Sequence, residues 1–181
     1  MTAQVSDGLK FEGRWYGLSC EPLITWLWRR KNKGLHFRRT STACSRGYGA
    51  NWALHNGRLY LTSISGTFAD GSPVTLESLF ANYSKQYLDS VGANDPSNAG
   101  PGAFAFWVTG TLCCSFGKLL KYEHAGYSSI YEGEIHFCMA DGFLIGTRIV
   151  HREPPRRRTG DDLDDFLDSD YSMIDDLDMA E

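Results

Sequence analysis

The sequence predicts a mainly β fold with minor α+β character: an antiparallel sheet curled into a barrel-like body, one or two short helices, and an acidic C-terminal tail. Three observations carry that prediction. Two hairpin signals, Asn56-Gly57 and Asp141-Gly142, are each flanked by strand-like apolar runs. Residues 129–139 alternate, with apolar Tyr131, Ile135, Phe137 and Met139 at odd positions and Glu132, Glu134 and His136 at even ones. Charge and aromatic content also change abruptly after residue 153.

That change sets the domain organisation. The net charge of −4 averages two unlike regions. Residues 1–153 hold 15 Lys and Arg against 12 Asp and Glu, whereas residues 154–181 hold three Arg against ten acidic residues. The body is therefore +3 and the remainder −7, and 22 of the 24 aromatic residues lie in the body. Residues 11–153 are expected to form one β-rich globular domain, with 1–10 a flexible N-terminus. Pro154-Pro155 opens a linker over 154–160, because proline removes backbone donors and favours an extended chain. Residues 161–181 form an acidic amphipathic tail, disordered unless bound.

The elements follow in chain order. Phe11–Glu21 reads as a strand, and Leu23–Trp28 fits either a strand or one amphipathic helix. Asn-Gly supplies the two positive-φ residues of a two-residue turn, so Leu54 should pair with Leu59 and Trp52 with Leu61 on one face. Ser72 caps and Pro73 starts a short helix that puts Leu76, Leu79 and Phe80 on one side. Residues 89–103 are a long loop, and Phe104–Val108 looks like a strand. Further strands are expected at 110–115, 118–124, 129–139 and 143–150. The simplest register around Asp141-Gly142 sets Arg148 opposite Ile135, on the apolar face. Either both faces are covered there or a bulge shifts the register.

Several functions are disfavoured at once. No run approaches the ~20 apolar residues of a membrane helix, and Met1–Lys10 lacks the features of an export signal. Five cysteines (Cys20, Cys44, Cys113, Cys114, Cys138) are an odd number without a C-x-x-C pair, which points to free thiols in a reducing, cytoplasmic setting. Adjacent Cys113 and Cys114 should face opposite sides of a strand. There is no G-x-S-x-G, P-loop or H-E-x-x-H motif, and neither a metal nor a cofactor is expected.

Three constellations compete for function. His124, Glu132, Glu134 and His136 offer the carboxylate and imidazole that acid–base chemistry needs. They would line a pocket if the even face of 129–139 turned inward; otherwise they form a solvated strand face. Arg29, Arg30, Lys31, Lys33, Arg38 and Arg39 form a basic run interleaved with Trp26, Trp28, His36 and Phe37, suited to phosphate contact and base stacking or to blunting a strand edge. In the tail, Leu163, Phe166, Leu167, Tyr171, Ile174 and Leu177 form one helical stripe. Asp161, Asp162, Asp164 and Asp165 lie among them, and aspartate is a poor helix former whose like charges repel. A basic, grooved partner would neutralise that charge and bury the stripe.

Gly13-Arg14-Trp15-Tyr16 resembles the G-x-W element that opens lipocalins, which implies a ligand-binding barrel. A longer pattern comprises Cys44-Ser45-Arg46-Gly47-Tyr48, Trp52, Asn56-Gly57-Arg58-Leu59-Tyr60-Leu61, Phe106-Trp107, Gly110, Leu112, Gly117, Leu120, Tyr122, His124, Gly126-Tyr127, and Tyr131-Glu132. It resembles a family of uncharacterised bacterial proteins found in genomes and mobile elements. That resemblance implies a bacterial or phage intracellular setting and brings no activity. The expected function is a non-enzymatic interaction or inhibitor protein, its tail and body binding a basic, nucleic-acid-handling partner. In a mobile-element setting this would be a nucleic-acid mimic, such as an anti-CRISPR. The alternatives are a small ligand-binding barrel or enzyme with its site on 118–139, direct nucleic-acid binding, and a tail that covers the body's own basic run.

Overall fold

The computed structural model describes residues 2–28, 35–81 and 83–153. In chain order these form β1 (Asp7–Phe11), β2 (Arg14–Leu18), α1 (Ile24–Leu27), β3 (Tyr48–His55), β4 (Arg58–Gly66), α2 (Leu76–Phe80), α3 (Lys85–Ser90), β5 (Ala103–Phe104), β6 (Gly110–Lys121), β7 (Ile130–Ala140) and β8 (Phe143–His151). The protein is mostly β, in one mixed sheet of order β3-β1-β2-β6-β7-β8-β4-β5. A further β3–β4 pairing curls that sheet into a ring. Among the described strands β1–β3 pair parallel and the other pairings are antiparallel, as expected.

Both turn signals do what their residues allow. Asn56 and Gly57 take φ of 50° and 71°, and Asp141 and Gly142 take 48° and 83°. Leu54 pairs with Leu59 and Trp52 with Leu61. In the β7–β8 hairpin a bulge between Cys138 and Met139 shifts the register, so Ile135 faces Ile149 and Arg148 faces His136. The bulge, and not a second covering layer, takes the arginine off the core face.

The N-terminal boundary differs from expectation. Asp7–Lys10, placed by the sequence in a flexible N-terminus, belong to β1, which pairs with both β2 and β3. Leu23–Trp28 resolves as helix: Trp26 of α1 is fully buried and lies against Tyr83 and Trp107, with ring centroids 4.5 and 4.7 Å away. Tertiary packing decides this one-turn helix, since no side chain caps its start. The cap of α2 is Thr75, in a reciprocal box with Ser78, and not Ser72; Pro73 lies before the helix, bridged to Thr67. Only Ala103–Phe104 of the expected strand near 104–108 pairs with β4. The chain then turns, Val108 N–H donating to Ala105 O at 3.0 Å, while Phe104–Val108 stay buried. The strands expected at 110–115 and 118–124 are one long strand, irregular between Phe116 and Lys121.

The ring interior is filled by side chains. Leu9, Leu18, Trp52, Leu59, Leu61 and Phe137 are fully buried. No helix among the described residues is long and apolar enough to cross a membrane. The linker 154–160 and the tail 161–181 lie outside the described residues.

Candidate functional site

On β7 the buried residues are Gly133, Ile135, Phe137 and Met139, so the intervening side chains point to the opposite face. Glu134 and His136 meet there, with Oε2 3.1 Å from Nε2. The other carboxylate oxygen accepts from the Arg152 guanidinium at 3.1 Å. Burial pushes the Glu134 carboxyl up, but His136 and Arg152 more than offset this and hold it below its ordinary value. Glu132 serves the backbone: it accepts from Lys118 N–H at 2.9 Å and secures the irregular stretch of β6. His124 is exposed and its Nδ1 lies 3.1 Å from the Tyr122 hydroxyl. Two of the four expected acid–base residues thus come together, on the face away from the core, and His124 and Glu132 have separate partners.

The thiols behave as the alternation predicted. Cys114 is fully buried, whereas Cys113 is half-buried and cross-strand from His136. All five cysteines are free, and burial pushes the Cys20 thiol up to about 11, away from the thiolate form a nucleophile needs. Among the described residues no three His, Cys, Asp or Glu side chains are grouped to hold a metal.

A second polar cluster, missed by the sequence reading, lies inside the fold. Asp7 and Arg46 form an ion pair at 2.6 Å with side chains 0% and 3% exposed. Asp7 also accepts from Ala50 N–H at 3.0 Å and Trp52 Nε1–H at 3.4 Å. Arg46 donates to Val5 O at 2.7 Å and to the Tyr127 hydroxyl at 2.9 Å, and that hydroxyl donates to Glu21 at 3.0 Å. Burial pushes the Asp7 carboxyl up against the pull of these donors; Arg46, despite its own burial, is held above its ordinary value, chiefly by Asp7. The cluster joins β1, the α1 approach, β3 and the β6–β7 loop. Its signal was available: Asp7 is in phase with Leu9 and Phe11, so a carboxylate shares the core face of a strand and must find a cation.

Two surface depressions flank this body. One, of about 670 Å³, lies at the β1–β2 and β3–β4 turns and is lined by Lys10, Trp15, Trp52, Leu54 and His55 among others. Trp15 is 60% exposed and is the cross-strand partner of Lys10. The other, of about 620 Å³, is lined by Trp28, His36, Phe37, Arg39 and Arg46 among others. Of the expected basic run, Arg38 and Arg39 are described and exposed; Arg29, Arg30, Lys31 and Lys33 lie outside the described residues. So do Leu163, Phe166, Leu167, Tyr171, Ile174 and Leu177, together with Asp161, Asp162, Asp164 and Asp165. The chain matches no family model, no curated protein and no solved structure at a significant level.

Proposed function

We propose that this is a non-enzymatic binding protein whose acidic segment 161–181 engages a basic, nucleic-acid-handling protein partner, with the barrel as a rigid platform. The observation that carries the reading is the segment itself: ten acidic residues, no basic one, and six apolar residues on a single helical stripe. Two features of the body support it. The ring interior is filled by core side chains, which leaves the outer surface and the segment for recognition. The last described strand is tied down where the segment departs, through Arg152 bonded to Glu134 and to Glu132 O. A protein that mimics nucleic-acid charge would block such a partner's phosphate-binding surface, as an inhibitor of a host defence nuclease does.

The test is affinity capture with the full chain and with a Phe166→Ala, Leu167→Ala variant that keeps every charge. A specific partner should be retained by the first and lost by the second, and its retention should fall with added salt. A partner held equally by both chains would rule out recognition through the stripe.

A further inference from the structure

We propose, on the reading of 161–181 as a recognition segment, that in the free chain this segment docks on its own body, in the depression beside α1, and that a partner must displace it. That depression, of about 620 Å³, is apolar and basic at once. Ile24, Leu27, Trp28 and Phe37 supply apolar surface, Arg39 and Arg46 supply charge, and no carboxylate lines it among the described residues. Trp28 is 75% exposed, more than any other large apolar side chain among the described residues.

A second observation marks the same place as a site for an anion. Arg46 commits both terminal nitrogens, to Val5 O, Tyr127 and Asp7, yet its Nε, buried, has no hydrogen-bond partner among the described residues. The buried Tyr48 hydroxyl has none either. The Tyr48 ring lies against two residues of the lining, with its centroid 5.0 Å from that of Phe37 and 5.3 Å from Arg46 Cζ. Buried polar groups are rarely left unmet. An unmet Arg46 N–H and the exposed Arg39 guanidinium favour negative charge over this depression.

The occupant must therefore carry carboxylates between apolar side chains. Segment 161–181 does, with Leu163, Phe166 and Leu167 set among Asp161, Asp162, Asp164 and Asp165. A nucleic acid would offer phosphates but no apolar stripe for Ile24 and Leu27. The segment can also reach. Arg152 N–H is bonded to Glu132 O, and Tyr127, bonded to Arg46, is five residues before Glu132. Those five residues span at most about 18 Å, whereas residues 153–163 can span about 35 Å. Tethering gives the chain's own segment an effective concentration of the order of 1 mM, which favours it over the segment of a second copy.

The test is fluorine NMR of the full chain carrying 5-fluorotryptophan, with Trp28 and Trp15 identified by loss of their signals in Trp28→Phe and Trp15→Phe. The change in each signal between light and heavy water reads contact with solvent. Trp15, 60% exposed at the other depression, is the internal reference. Trp28 should show the smaller solvent shift of the two, although it is the more exposed on the body. Phe166→Ala, Leu167→Ala, which keeps every charge, should raise the Trp28 shift to that of Trp15 or above. Arg39→Glu, at an exposed position, should do the same, and neither should move Trp15. A native Trp28 shift equal to or above that of Trp15 overturns the proposal. So does a Trp28 signal indifferent to both variants, or one whose protection is lost on dilution, which would assign the occupant to another copy. A Trp28 that ignores the Phe166→Ala, Leu167→Ala change while a captured partner is lost overturns self-docking and leaves partner recognition standing. A Trp28 that responds while no partner is captured supports self-docking and removes partner recognition.

Discussion

Two carboxylate–cation clusters sit on opposite faces of the same sheet. Asp7–Arg46 lies on the inner side, with both side chains withdrawn from water. Glu134, His136 and Arg152 lie on the outer side, where the carboxylate is 18% and the arginine 43% exposed. The residue chemistry is alike, and burial separates the roles. An outer carboxylate that loses its partner is resolvated by bulk water. An inner one cannot be, so every donor around Asp7 is part of what makes its ionised form tolerable. The inner cluster is thus a joint between chain segments far apart in sequence, and the outer cluster is a local clasp at the end of the last hairpin.

The sharpest way to break this contrast is Asp7→Asn. The substitution leaves buried Arg46 with only the more distant Glu21 carboxylate, 3.9 Å away, as a counter-charge, and should lower stability by about 3 kcal/mol in urea unfolding. The double variant Asp7→Leu, Arg46→Met should be less destabilised than Asp7→Asn alone, because it removes the stranded charge and fills the site with apolar atoms. A cost for Asp7→Asn no larger than that of an exposed pair would mean that the joint is not structural.

A smaller effect is expected at Gly133, which adjoins the outer clasp in sequence but belongs to the inner face. The Phe116 ring lies directly over it, in the space that a Cβ would take, and Phe116 is its cross-strand partner. Gly133→Ala must displace that aromatic ring and should cost about 1–3 kcal/mol by thermal unfolding. The neighbouring Glu134→Gln should cost less, although it removes a charge. An inverted order would show that the outer clasp, and not the inner packing, holds this end of the hairpin.

What could be read from the sequence follows the same division. Local chemistry was legible: Asn-Gly and Asp-Gly set two turns, and the registers of Leu54 and Trp52 followed from loop length alone. The alternation in β7 correctly put Ile135, Phe137 and Met139 inside. Decisions made by distant contacts were not legible. Trp26 forms a helix turn because Tyr83, Phe106 and Trp107 surround it. β1 is held because Arg46, 39 residues away, meets Asp7. The bulge at Cys138 that rescues Arg148 leaves no compositional mark. Polar residues at even positions of β7 were visible as a group, but which face they took depended on ring curvature. Glu134 and His136 are neighbours two residues apart on one strand face, while His124 lies beside Tyr122.

The smallest expected effect tests the outer clasp through pH. Glu134 is held below the ordinary value of 4.5 in the folded chain because His136 and Arg152 outweigh its burial. A carboxylate with a depressed folded pKa contributes stability that is fully present above its unfolded value. That contribution is lost as pH falls through the lower, folded value. Glu134→Gln should therefore cost about 0.5 kcal/mol near neutral pH, and the difference from the native chain should shrink as the medium is acidified below 4.5. Urea unfolding of both chains across that range measures the gap directly. The same titration of Arg152→Met should close part of the gap, because the carboxylate then keeps only His136. A gap that stays constant with pH would mean that the carboxylate charge at 134 does not hold the strand end, and that the neutral hydrogen bond to His136 suffices.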